Sequence, residues 1–288
     1  MNSSNVKWIL LSVLAMIWGS SFILIHLGLE NLNPFQLGAL RIIFAAVFLL
    51  AVGFRELPKI PQSQWKYIAL TSLFGTFIPA FLFAIAQTRI SSMVSSVLNS
   101  LTPLNTMILG VIAFGLTAKR SQAIGIVVGF VGSAILIFNG AANHPDQDYS
   151  YAGLLVIASM CYATNVNLIK KYLSDVSPLG ISTGNFAVML IPAILILIFS
   201  GFFDVAHLPE VQRSVMFVAI LGVMGTAIAN ILFFRLIQMS SPVFASSVTY
   251  LIPVVAFFWG IQNGEMLTLG QFFGAFIILV GVYLSGRK

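Results

Sequence analysis

Ten times along this chain an apolar run of roughly twenty residues gives way to a short polar break, at 8–28, 35–54, 66–87, 92–115, 121–138, 151–170, 179–200, 215–236, 242–261 and 267–286. A helix of that length rises about 30 Å, the thickness of a bilayer's hydrocarbon core, where every backbone N–H and C=O must be satisfied inside the segment. Of the 288 residues 59% are hydrophobic and 8% charged, with a mean hydropathy of +1.00, far outside the usage of soluble domains. The expectation is an all-α integral membrane protein with ten transmembrane helices. The first run starts weakly basic at Lys7, is too long for a secretory signal and lacks a small-residue cleavage pattern, so it is expected to stay as a helix.

Charge placement orients the chain. With the N-terminus in the cytoplasm, Lys7, Arg55, Lys59, Lys66, Lys119, Arg120, Lys170, Lys171, Arg235, Arg287 and Lys288 fall on the cytoplasmic side, Arg89 and Arg213 outside, and Arg41 within a run. Loops rich in Lys and Arg resist translocation, so eleven against two predicts that both termini are cytoplasmic. The net charge of +6 is spread thinly and forms no continuous basic patch, which argues against a nucleic-acid partner and leaves the lipid bilayer and a small-molecule substrate as the expected ones. A single cysteine, Cys161, excludes an intrachain disulfide and a cysteine metal cluster.

All eight acidic residues, Glu30, Glu56, Asp146, Asp148, Asp175, Asp204, Glu210 and Glu265, map to breaks or interfaces. Ion-driven pumps usually bury a carboxylate despite a cost of about 2.5–3.5 kcal/mol or more, because it must bind the ion. The pattern here points to facilitated diffusion or exchange, and away from carboxylate-based proton coupling.

The fourth run contains SSVLNSLTPL, Ser95 to Leu104, and some 150 residues later SSVTYLIPVV, Ser246 to Val255, repeats its central proline. An offset of 150 pairs Gly75 with Gly225, Thr76 with Thr226, Phe83 with Phe233, Ser91 with Ser241, Ser96 with Ser246 and Pro103 with Pro253. Gln122, Gly125 and Gly132 match Gln271, Gly274 and Gly281 at 149, and an offset of 144 aligns Met16 with Met160, Trp18-Gly19 with Tyr162-Ala163 and Asn33-Pro34 with Ser177-Pro178. The halves, 1–142 and 150–288, read as duplicates of five runs each. Five is odd, so the second copy is expected to cross the membrane in the opposite sense, giving two inverted five-helix repeats. Such repeats are a physical route to alternating access around a central site.

Polar and aromatic residues inside the runs are the candidates for that site. Ser96, Asn99 and Pro103 recur three and four residues apart and share a helix face, and Ser246, Tyr250 and Pro253 form a comparable one. Each proline frees an upstream carbonyl, which is tolerated at membrane depth where neighbours or cavity water satisfy it. A polar, kinked face lining a cavity accounts for both; a packed kink with Asn99 and Thr102 bonded to neighbouring helices is the alternative. The first run adds Trp18, Ser21 and Phe22, the sixth Tyr162, Asn165 and Val166, the third Pro79 and Phe83, and the eighth Asn230. The candidate binding set is thus Trp18, Phe22, Pro79, Phe83, Ser96, Asn99, Pro103, Tyr162, Asn165, Asn230, Tyr250 and Pro253, with aromatic walls and orienting amides. Arg41, two turns into the second run, either contacts an anionic group or plays a structural part, bonding helix carbonyls. Gly125 and Gly129 in the fifth run and Gly270 and Gly274 in the tenth allow close helix approach, within the chain or in a homodimer through helices five and ten.

No HExxH pair, Asp-rich prenyl-phosphate motif, Walker-type loop or GxSxG occurs, so neither an enzyme nor a cofactor or metal is expected. The chain resembles the EamA family of the drug/metabolite transporter superfamily in Trp18-Gly19-Ser20, Ala39-Leu40-Arg41, Leu101-Thr102-Pro103 with its echo Leu251-Ile252-Pro253, and Gly264-Glu265 followed by Gln271-Phe272-Phe273-Gly274 and Val280-Gly281. It departs from the family at GLTAK, Gly115 to Lys119, where a Gly-Glu belongs, at Tyr162-Ala163 in place of Trp-Gly, and at Asn185, the position matching Arg41. The resemblance implies a bacterial inner-membrane exporter with a central cavity lined by runs 1, 3, 4, 6, 8 and 9, and runs 5 and 10 at the periphery. The expected function is secondary transport, exporting small neutral or zwitterionic metabolites such as amino acids. Efflux of amphipathic drugs by the same fold, or a non-transporting scaffold or receptor, are the alternatives.

Overall fold

Helices begin in this chain where a short polar side chain meets the start of an apolar run, and the computed structural model, which describes residues 3–115, 120–144 and 146–286, shows the caps in place. Lys119, Arg287 and Lys288 of the charge count, and Leu116 to Lys119 of the GLTAK segment, lie outside the described residues. The described residues form helices without a strand. The first two runs are α1 (Ser3–Leu29) and α2 (Pro34–Gly53). The third is α3 (Trp65–Ser72), a π-helical stretch (Leu73–Phe77) and α4 (Ile78–Ala86). The fourth breaks into α5 (Ser92–Asn99) and α6 (Thr102–Phe114), and the fifth is α7 (Arg120–Asn143). The sixth and seventh are α8 (Ala152–Tyr172) and α9 (Pro178–Phe199), followed by a single turn, α10 (Phe202–Val205). The eighth is α11 (Pro209–Gly222), a second π-helical stretch (Val223–Ile228) and α12 (Ala229–Met239). The ninth is α13 (Pro242–Ser246), a 3₁₀ stretch (Ser247–Tyr250) and α14 (Ile252–Gln262), and the tenth is α15 (Leu269–Gly286).

Eight segments among the described residues are long and apolar enough to cross a membrane; α7 and α15 contribute the shorter apolar stretches Val127–Asn143 and Leu269–Gly281. Large apolar side chains face outward, among them Phe199 (84% exposed) and Ile112 (76%), as a lipid-facing surface requires. This is a multi-pass helical membrane protein. The eighth run starts at Pro209, earlier than the hydropathy edge at 215, because a proline is favoured at the first helical position and Glu210 sits well in a first turn.

Several of the residues matched between the halves are helix caps. Asn33 Oδ1 accepts from the N–H groups of Phe35 and Gln36, while Gln36 Oε1 accepts from Asn33 N, closing a capping box ahead of Pro34. Its counterpart Ser177 accepts from Gly180 N at 3.0 Å ahead of Pro178. Ser91 and Ser241 likewise cap α5 and α13, accepting from Val94 N and Phe244 N. Glu265, in the turn before α15, adds a second cap to α5: Ser92 N and Met93 N donate to its two carboxylate oxygens at 3.1 and 2.9 Å, at the helix end where the peptide dipoles favour negative charge.

The glycine stripes of α7 and α15 face each other. A Cβ on Gly132 would lie 2.6 Å from Ile278 N, one on Gly274 2.7 Å from Leu136 N, and one on Gly281 2.3 Å from Gly129 N. Backbones this close need glycine, and the stripes read as a candidate subunit surface are therefore occupied within the chain. The polar stretch SSVLNSLTPL, Ser95 to Leu104, is a helix break. Ser100 and Leu101 form a break between α5 and α6, their N–H groups donate to Val97 and Leu98 three residues back, and Ser100 Oγ donates to Thr249 O, 2.8 Å away in the equivalent break of the ninth run. Pro103 and Pro253 open the helices that follow each break, where a missing N–H costs nothing.

Candidate functional site

Both π-helical stretches carry Gly-Thr: Gly75-Thr76 in the third run and Gly225-Thr226 in the eighth. A π turn holds one residue more than an α turn, which shifts carbonyls away from their usual partners and makes such turns frequent at functional sites. Thr226 Oγ1 donates to Leu221 O five residues back, and Gly225 O accepts from Trp18 Nε1 at 3.0 Å. The glycines let a facing helix come into contact. A Cβ on Gly225 would sit 2.6 Å from Ser21 Oγ, and one on Gly75 2.5 Å from the Asn165 amide. Ser21 and Asn165 are themselves 144 residues apart, the offset that pairs Trp18 with Tyr162. Each π stretch therefore packs on the equivalent face of the other half's first helix.

A cavity of about 80 Å³ lies between these elements. Its apolar wall is aromatic. Trp18 meets Phe233 edge-on at 4.8 Å between centroids, Phe22 meets Phe83 at 5.7 Å, and Phe83 stacks on Tyr162 at 5.9 Å. Ile25 and Val166 complete it, and the polar lining comes from Ser21, Thr76, Asn99, Thr102, Asn165, Thr226, Asn230, Ser246, Thr249 and the lone charged group, Arg41. Most of these hydroxyls are bound locally: Ser21 to Ile17 O, Thr102 to Asn99 O, Ser246 to Val243 O and Thr249 to Ser246 O. Two of the lining's fully buried polar atoms have no such bond. The Thr76 hydroxyl and the Asn165 amide oxygen, on residues 6% and 3% exposed, have no hydrogen-bond partner among the described residues. Buried polar groups of this kind cost free energy unless something satisfies them, which makes them candidates to bind a guest.

Of the sequence candidates, Trp18, Phe22, Phe83, Asn99, Tyr162, Asn165 and Asn230 line this cavity, as does Arg41. Pro79, Ser96, Pro103, Tyr250 and Pro253 do not. Ser96 Oγ donates back to Met93 O, and Pro79, Pro103 and Pro253 sit at helix starts, buried in packing. Tyr250 is displaced by the 3₁₀ stretch. At three residues per turn Ser246 shares a face with Thr249, where an α-helix would have offered Tyr250. Thr76, Thr226, Thr249 and Phe233 were not among the candidates; the signal that could have found them was the repeat pairing, which matches Thr76 with Thr226 and Phe83 with Phe233 and, at the same offset of 150, sets Thr249 against the candidate Asn99.

Comparison with known proteins bears on what such a cavity serves. The EamA-like transporter family profile matches twice, over residues 6–138 and 150–287. The chain is 27% identical to a probable amino-acid metabolite efflux pump of Salmonella typhimurium, covering 95% of this chain and 92% of that protein. It is 26% identical to YedA, an uncharacterized inner membrane transporter of Escherichia coli, over 96% and 92%. One solved crystal structure superposes with a TM-score of 0.68 at 15% identity, covering 98% of this chain and 96% of the other, which speaks for the fold alone. A helical membrane chain with two family matches and a cavity framed by equivalent pieces of its two halves belongs to the EamA-like transporter family.

Proposed function

We propose that this protein is a secondary carrier that exports small neutral or zwitterionic metabolites, amino acids or related compounds, across the inner membrane by alternating access. In this reading ten transmembrane helices form two inverted five-helix repeats, 1–142 and 150–288, with both termini cytoplasmic. The observation that carries it is the cavity between the two π-helical Gly-Thr stretches, which is aromatic-walled, amide-lined and supplied with buried polar groups that have no partner among the described residues. Because matching elements of the two halves frame it, exchanging the conformations of the halves would open it first to one side and then to the other. The names of the relatives, efflux pump and inner membrane transporter, agree in kind.

No carboxylate lines the cavity among the described residues, so its chemistry fits facilitated diffusion or exchange. The test is counterflow in proteoliposomes preloaded with pooled unlabelled amino acids or nucleobases, comparing the intact protein with Asn99→Ala, Asn165→Ala and, away from the cavity, Tyr250→Ala. Trans-stimulated uptake that is lost in the first two and kept in the third supports the reading. Folded protein that supports exchange with neither pool contradicts it. The aromatic wall gives the amphipathic-drug reading its one specific support, and saturable export of a quaternary ammonium compound would favour that reading over this one.

A further inference from the structure

Arg41 is a charge that no carboxylate among the described residues neutralises. It lies seven residues past Pro34 in α2, about 10 Å along the helix, and lines the cavity. Its Nε–H donates to Thr226 Oγ1 at 2.7 Å. Among the described residues that is its one hydrogen bond, and no carboxylate lies within ion-pair reach. A guanidinium carries five N–H donors, so the two terminal NH₂ groups keep four that the protein does not use. A cation at membrane depth normally has a partner, and the planar fork of a guanidinium matches a carboxylate in two parallel hydrogen bonds. Thr226, anchored in turn on Leu221 O, fixes the guanidinium from behind. In the lining of the same cavity the Thr76 hydroxyl and Asn165 amide oxygen, without partners among the described residues, offer acceptors.

We infer that Arg41 is the docking point for the carboxylate of the transported molecule, with Thr76 and Asn165 receiving its hydrogen-bond-donating end. The cavity is then polarised, and its guest is a small carboxylate with an apolar body and a donor such as an ammonium group. The amide of the same molecule, which lacks the carboxylate charge, binds poorly. This inference rests on the carrier reading and narrows it from neutral or zwitterionic to carboxylate-bearing guests.

The test is binding to the purified, detergent-solubilised full chain, read as the concentration dependence of thermal stabilisation, with leucine against leucinamide and phenylalanine against phenylalaninamide as probes. The intact protein is expected to prefer at least one acid over its amide. In Arg41→Gln that acid should weaken by about tenfold and its amide by less than about twofold, while Arg41→Lys, which keeps the charge, retains part of the preference. An intact protein stabilised equally by acid and amide, or an Arg41→Gln protein that keeps the acid preference, overturns the inference. Should Arg41→Gln fail to fold, the acid-against-amide comparison in the intact protein and in Arg41→Lys decides. The carrier reading fails separately: acid-selective binding without counterflow overturns the carrier alone, and counterflow of an amide without acid preference overturns this inference alone.

Discussion

The two π-helical stretches are the same device with different neighbours. Around Gly225-Thr226 three polar side chains have protein partners: Trp18 donates to Gly225 O, Ser21 is bound within its own helix, and Arg41 donates through Nε to Thr226. Around Gly75-Thr76 the equivalent positions are Tyr162, Asn165 and Asn185. Asn185 is too short to play the part of Arg41; its amide hydrogen-bonds Thr71 at 2.9 Å, and the Thr76 hydroxyl has no partner among the described residues. The two halves share glycine contacts and π turns, and they differ at a few facing positions, which give one side a surplus of donors and the other a surplus of acceptors. Scaffold and site chemistry are thus separable in this fold.

The strongest way to break that comparison is at the glycines. Gly75→Ala and Gly225→Ala should each cost about 1–3 kcal/mol of stability, since the new methyl has 2.5–2.6 Å to its neighbour, and thermal unfolding in detergent would register it. Ser21→Ala removes the nearest atom and should restore both stability and flux to Gly225→Ala. Asn165→Ala should restore the stability of Gly75→Ala but not its flux. Equal rescue of flux in both pairs would mean that the two sides do the same work.

A second, smaller effect separates Asn165 from Ser21 directly. Asn165→Ala is expected to lower counterflow about tenfold, the loss of one hydrogen bond to a charged group, and Ser21→Ala to leave it within about twofold. The smallest concerns the threonines. Thr226→Val breaks the Arg41 bond and should destabilise by about 1–2 kcal/mol, whereas Thr76→Val removes a hydroxyl with no protein partner and should change stability by less than about 0.5 kcal/mol while lowering flux. Equal melting shifts for the two valine variants would show that Thr226 gains nothing from Arg41.

The sequence announced the fold more fully than the site. Apolar runs marked each helix, and the Ser, Asn and Pro residues that aligned the halves were legible because caps need those side chains, as at Asn33 and Ser177. Trp18, Tyr162, Asn99, Asn165 and Asn230 stood out because amides and large aromatics are conspicuous in an oily run. Thr76 and Thr226 did not, since a threonine in a membrane helix ordinarily bonds its own turn and carries no outward signal. The π and 3₁₀ stretches were not visible either. Hydropathy is blind to a change of one residue per turn, and that change moved Thr249 into the cavity and Tyr250 out of it.

The cavity between the π stretches is proposed as a substrate site reached alternately from both sides of the membrane. The lone cysteine, Cys161, makes a clean test simple. In a Cys161→Ser background, Thr76→Cys would be treated with a membrane-impermeant thiol reagent in right-side-out and in inside-out vesicles, with and without the compound that supports counterflow. The account predicts labelling from both sides and protection by that compound in each. Labelling from one side only, or labelling that the compound does not slow, would contradict it.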